Sequence, residues 1–197
     1  MPIPLLDGIK TSYPQAALLE VISLIGAARR GSRFDWQTAF DVLSEATSPI
    51  PIASHDLPAV AMLTSDREEI ARAIHRAHHA RPFLTDQWAV IPFSSACLIH
   101  DSVANASLHR LHEHYVVAAN FGYRAGFVHL NIRTELPSDL LAEIADISPA
   151  YITAEWSPTC NGAISGALSR KDFLQLLNHM GFPLQQTMEI DRAGMRN

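Results

Sequence analysis

Eight of the ten histidines lie between His75 and His129. Imidazole titrates near neutrality, ligates transition metals and shuttles protons, so such crowding points to a metal site, an acid–base centre or an anion-binding surface. From Asp66 to Ala80 the apolar Ile70, Ala73, Ile74, Ala77 and Ala80 recur at helical spacing, which puts Glu68, Arg72, His75, Arg76 and His79 on the opposite face. His75 and His79 stand four apart, the spacing of a shared metal ion, but Arg72 and Arg76 add two permanent positive charges to that face. Two guanidinium groups with two imidazoles suit a phosphorylated ligand or an acidic protein segment, held more strongly below about pH 6.5, the reference value for histidine. Glu68, four residues before Arg72, offers a competing surface ion pair.

A second group has better metal spacing. His109, His112 and Glu113 fall at i, i+3 and i+4, so on a helix two imidazoles and a carboxylate face one cation, zinc or manganese, with His114 or a distant residue completing the shell. The alternative use of those imidazoles is at a helix end, where partly protonated rings favour the negative pole of the dipole. His100 and Asp101 in ACLIHDSVA resemble the opening pair of the metal-dependent HD phosphohydrolases. The resemblance implies an earlier histidine ligand, His75 or His79, and a later aspartate, Asp139, Asp146 or Asp172. It also implies an all-helical fold, whereas Tyr115 to Arg133 reads as a hairpin.

Cys97 follows Ser94, Ser95 and Ala96 at an expected helix start, where backbone N–H groups favour a thiolate. With His129 on a strand and Asp139 or Asp146 behind it, the order resembles the transglutaminase-like and papain-like thiol enzymes. That likeness implies Cys97 as nucleophile, His129 as base and Gln87 near an oxyanion hole. The same cysteine also continues an apolar stripe with Ala104, Leu108, Leu111 and Tyr115, the position of a core residue.

The elements that must position these groups follow from pattern and caps. Ser12 and Gln15 with Pro14 open a helix from Tyr13 to Arg30, apolar around most of its circumference and therefore deeply packed or covered by a second copy of the chain. A second helix from Asp35 to Ala46 turns Trp36, Phe40 and Leu43 inward. Prolines 49, 51 and 58 make Thr47 to Pro58 a non-helical connector. Ala59 to Leu63 reads as a strand, and Ser65 with Glu68 caps the histidine helix, which ends at Arg81 and Pro82. Gln87–Phe93 is a strand with Pro92 at its end or on an edge, and Ser94 to His114 is helical. Tyr115–Tyr123 and Phe127–Arg133 are paired strands, Pro137–Ile147 a helix, Ala150–Trp156 a strand, and Ser169 with Asp172 caps a last helix reaching Met180. The expected architecture is α+β: an N-terminal helical pair over residues 1–47, then a small, mainly antiparallel sheet with packed helices over residues 59–197, the two forming separate domains or one continuous one.

Composition narrows the function classes. The formal charge is −5, so no global positive field draws the chain to nucleic acid or an anionic membrane. The cluster Arg29, Arg30 and Arg33 beside Phe34 and Trp36 is a secondary cationic surface or a helix end. No GxxxxGKT, GxGxxG or GxSxG element occurs. Two cysteines without a CxxC pair suggest a reducing cytoplasm, and the run from Ala16 to Ala28, broken by Glu20, is too short for a bilayer. The sequence therefore favours a regulatory binding module acting through Arg72, His75, Arg76 and His79, with a metal-dependent hydrolase and a cysteine hydrolase or transferase as alternatives.

Overall fold

The computed structural model describes residues 12–136, 152–157 and 160–196. The architecture is α+β, and the chain forms two compact units, one up to Arg72 and one from Ala73 onward. The division falls within a helix. The proline-bearing connector expected between domains instead lies inside the first unit.

Among the described residues four helices build that unit: α1 (Gln15–Arg30), α2 (Trp36–Glu45), α3 (Pro49–Ala53) and the start of α4 (Val60–His78). Leu24 and Ala28 of α1, Ala39 and Val42 of α2, Ile52 of α3, and Val60 and Leu63 of α4 share one core. Several sequence expectations change here. Pro14, not Ser12, occupies the N-cap of α1, with no side-chain bond of its own. Trp36, Phe40 and Leu43 point outward, each half or more exposed, while the smaller Ala39 and Val42 are buried. Helix α3 forms despite its prolines because Pro49 and Pro51 occupy N1 and N3, where backbone N–H groups have no intrahelical acceptor anyway. The strand expected at Ala59–Leu63 is the first turn of α4, and Ser65 sits inside that helix. Val60 and Leu63, three apart, serve a helix face as readily as a short strand.

An ion cluster joins α1 to the later helices of this unit. Glu20 Oε1 accepts from Arg67 Nη1 at 2.6 Å and lies 3.0 Å from His55 Nε2. Arg67 first, and His55 second, hold the Glu20 carboxyl below its usual range. A depressed folded pKa contributes stability above the unfolded value of about 4.3 and loses it as pH falls through the folded value. Glu20→Gln is thus expected to cost about 0.5–1 kcal/mol at pH 7. Urea unfolding at pH 7 and again below pH 4 checks this: the gap between variant and wild type should close in acid.

The second unit is a sheet in the order β1-β2-β3-β4-β6-β5 among the described residues. Its strands are β1 (Phe83–Leu84), β2 (Trp88–Phe93), β3 (Tyr115–Asn120), β4 (Phe127–Arg133), β5 (Ile152–Ser157) and β6 (Cys160–Ser169). Only the β2–β3 pairing is parallel, with α5 (His100–Leu108) as its crossover. Both parallel strands are buried along their whole length, which explains why WAVIPF and YVVAAN lack polar alternation. Pro92 is accommodated because β1 pairs only with Val90 and Ala89, leaving the outer side of β2 unpaired farther along. Helices α6 (Arg170–His179) and α7 (Leu184–Met195) supply Phe173, Leu176, Leu177 and Ile190 to a core against one sheet face. Ser169 Oγ caps α6 by accepting from Asp172 N at 3.1 Å, and Gly181, at φ +80°, stops the chain just beyond it. The helix expected over 137–147 lies outside the described residues, as do Asp139 and Asp146.

Candidate anion-binding site

Helix α4 presents its faces as its periodicity requires. Ile70, Ala73 and Ala77 are buried, and Arg72, His75, Arg76 and His79 are all exposed. The residues divide between the units at Arg72. Its Nη1 lies 3.6 Å from Glu68 Oε2, a solvent-exposed i,i+4 pair of small net worth. In the second unit the helix closes at His78, with His79 N donating to Arg76 O at 3.2 Å. The rings of His75 and His79 meet edge to face at 4.5 Å, and His78 lies 5.7 Å from His79. Burial first, then the positive Arg110, lowers the His78 pKa and keeps that ring neutral near pH 7.

Arg76 also lines a cavity of about 130 Å³ in the second unit. Its cationic partner is Arg196, just past the end of α7. Ser94 and Ser95, at the carboxyl end of β2, add hydroxyl groups, and Ala73, Ala77 and Phe93 contribute apolar wall.

Asn120 sets the serine wall. It is fully buried at the end of β3. Its Oδ1 accepts from Ser95 N at 2.9 Å and from Gly122 N at 3.1 Å, while its Nδ2 donates to Cys97 O at 3.1 Å. A Cβ on Gly122 would stand 2.4 Å from Ser94 Oγ and 2.6 Å from Ser95 N, so only glycine lets the strand end approach the loop. Ser95 Oγ accepts from Cys97 N at 3.1 Å, which leaves its own O–H as a donor.

The remaining candidate groups are arranged differently from their spacing. Helix α5 begins only at His100 and ends at Leu108, so Cys97 lies in the bend before the helix and His109, His112 and Glu113 lie in turns after it. The i, i+3, i+4 face assumed for those three does not exist. All three are exposed, and the contact between His112 and Glu113 is 3.9 Å. Among the described residues no three of His, Cys, Asp or Glu gather as a metal ion requires. That also bears on the His75, His100 and Asp101 set: His75 is exposed, whereas His100 is buried. Cys97 is 2% exposed, so its thiol is not offered to solvent as a reactive thiolate would be. His129 packs its ring against Tyr123 at 4.7 Å and lies 5.9 Å from His100. Burial, and secondarily Arg124, lower its pKa, and its Nε2 is buried with no hydrogen-bond partner among the described residues.

The Arg29–Arg33 cluster is partly committed to structure. Arg33 Nε and Nη2 both donate to Asp66 Oδ1, at 3.0 and 2.7 Å, and Nη2 also reaches Met62 O. Gly31 admits this approach, since a Cβ there would meet Asp66 Cβ at 3.3 Å.

Sequence reasoning missed Arg196, Asn120 and Gly122. Only the Ser94–Ser95 pair carries a local signal, that of a helix start, and the helix begins later, at His100. No protein-family model matches the chain, and no curated protein matches it. Among the described residues no helix is long and apolar enough to cross a membrane.

Proposed function

We propose that this chain is an intracellular binding module, regulatory or accessory in role, that recognises a phosphorylated ligand through the cationic end of α4. Its observational support is that Arg76 turns outward beside His75 and His79 and at the same time lines a cavity with a second arginine. Guanidinium groups bind phosphate oxygens by paired, charge-assisted hydrogen bonds, and the cavity offers two of them to one small group. Arg72, held by Glu68 at the solvent edge, adds long-range attraction more than direct grip.

Pyrophosphate is the probe for the test. Removing the charge-assisted contact of Arg76 together with the attraction of Arg72 should weaken binding by about 10-fold or more in the Arg72→Ala/Arg76→Ala double variant, measured by calorimetric titration at low salt. Unchanged affinity would sink the reading. A polyglutamate peptide binding more tightly than pyrophosphate, and losing affinity in the same variant, would replace it with recognition of an acidic segment.

A further inference from the structure

The cavity has a shape and lining that name a narrower ligand than the exposed helix face does. Its volume is about 130 Å³, room for a phosphoryl group and a short substituent. Two arginines from different elements, Arg76 of α4 and Arg196 after α7, line it together with Ser95, whose Oγ accepts from Cys97 N and keeps its own O–H to donate. Among the described residues no acidic side chain lines it, so nothing there repels a dianion. The rest of the wall includes Ala77, Ala80, Pro92 and Phe93, which offer no hydrogen bonds to a sugar and favour an apolar body next to the phosphate.

We infer that this cavity seats the terminal phosphoryl group of a small phosphomonoester with a short apolar body, held by Arg76 and Arg196 and fixed in orientation by Ser95. The inference rests on the reading of α4 as a phosphate-recognising face and specifies which ligands that face accepts. A monoester presents three non-bridging oxygens and close to two negative charges, matching two guanidinium forks and a hydroxyl. A diester has one charge and only two non-bridging oxygens, fewer than two guanidinium forks and a hydroxyl can hold. The serine wall is held by Asn120 and by the close approach of Gly122, so the seat is formed before the ligand arrives.

Thermal unfolding of the full chain with methyl phosphate and with dimethyl phosphate tests this, since a ligand that binds the folded state raises the midpoint by mass action. Methyl phosphate should raise the midpoint of the wild type, and dimethyl phosphate should not. Arg196→Ala should weaken methyl phosphate by about 10-fold or more, with Arg196→Lys recovering part of the loss. Arg196 is exposed and lies beyond the last helical turn, so neither substitution threatens folding. Arg72→Ala should leave the methyl phosphate response intact. If Arg196→Ala responds like wild type while the Arg72/Arg76 double variant loses pyrophosphate, the helix face binds phosphate and the cavity seat is wrong. If both variants keep wild-type binding, the reading of the helix face fails as well. Equal responses to the two phosphate esters would overturn the monoester assignment alone.

Discussion

Arg170→Ala should lower the stability of the second unit by about 2–3 kcal/mol, enough to drop its thermal midpoint by roughly 10 °C. Arg170 is the first residue of α6, and its Nε donates to Asp191 Oδ1 at 2.6 Å while its Nη2 pairs with Asp191 Oδ2. This fork ties α6 to α7. Asp191 is 9% exposed and lies among the buried residues of α7. Truncating the arginine leaves a carboxylate in a site with little water. Removal of one partner of a fully buried pair costs about 3–5 kcal/mol, and the smaller figure applies because about half of the Arg170 side chain is in solvent, which screens the pair. Replacing both partners, as Arg170→Met with Asp191→Leu, removes the charge left behind and should recover most of the loss. Chemical unfolding of the two variants separates these cases. If the single variant is as stable as wild type, the fork contributes nothing to the docking of α7.

That same pair shows where sequence legibility ends. Helix α7 buries Thr187, Ile190, Asp191 and Gly194, a stripe with correct helical spacing but one apolar side chain large enough to register as such. Periodicity finds helices by their greasy faces, and here the face is made of a hydroxyl, a charge matched by a residue 21 positions away, and a glycine. A Cβ at Gly194 would fall 2.2 Å from the Phe121 ring, a constraint visible only once the helix is docked. Helix α2 fails in the opposite sense: its large Trp36, Phe40 and Leu43 mark one face, yet the unit packs through Ala39 and Val42. Strand β4, by contrast, has the limits its composition implies, Phe127–Arg133, and the Ser169 cap of α6 uses only neighbours in sequence. The candidate site divides along the same line. The outward direction of Arg76 follows from its place on the polar side of the buried stripe formed by Ile70, Ala73 and Ala77, but its pairing with Arg196, 120 positions on, needed the fold.

The largest effect expected from a single substitution is at Asn120. Asn120→Ala removes three hydrogen bonds, two accepted from the backbone N–H groups of Ser95 and Gly122 and one donated to Cys97 O, and empties a fully buried side-chain site. Three bonds at about 0.5–1.5 kcal/mol each, together with the cavity left behind, should cost about 3–4 kcal/mol. Phosphate affinity should fall with stability, because the Ser94–Ser95 wall is no longer held against the sheet. Asn120→Asp tests the donor specifically. The carboxylate keeps the shape and both acceptor roles but sets an oxygen against Cys97 O, and its burial raises its pKa above the unfolded value of about 3.9. With the folded pKa raised, the charged form penalises the fold at neutral pH and the penalty disappears as pH falls through that value, when the protonated acid donates to Cys97 O in place of the amide. The gap in urea midpoint between Asn120→Asp and wild type should therefore narrow as pH falls from 7, while Asn120→Ala stays below both throughout. Parallel curves for the aspartate variant and wild type would mean that the bond to Cys97 O does not hold the loop.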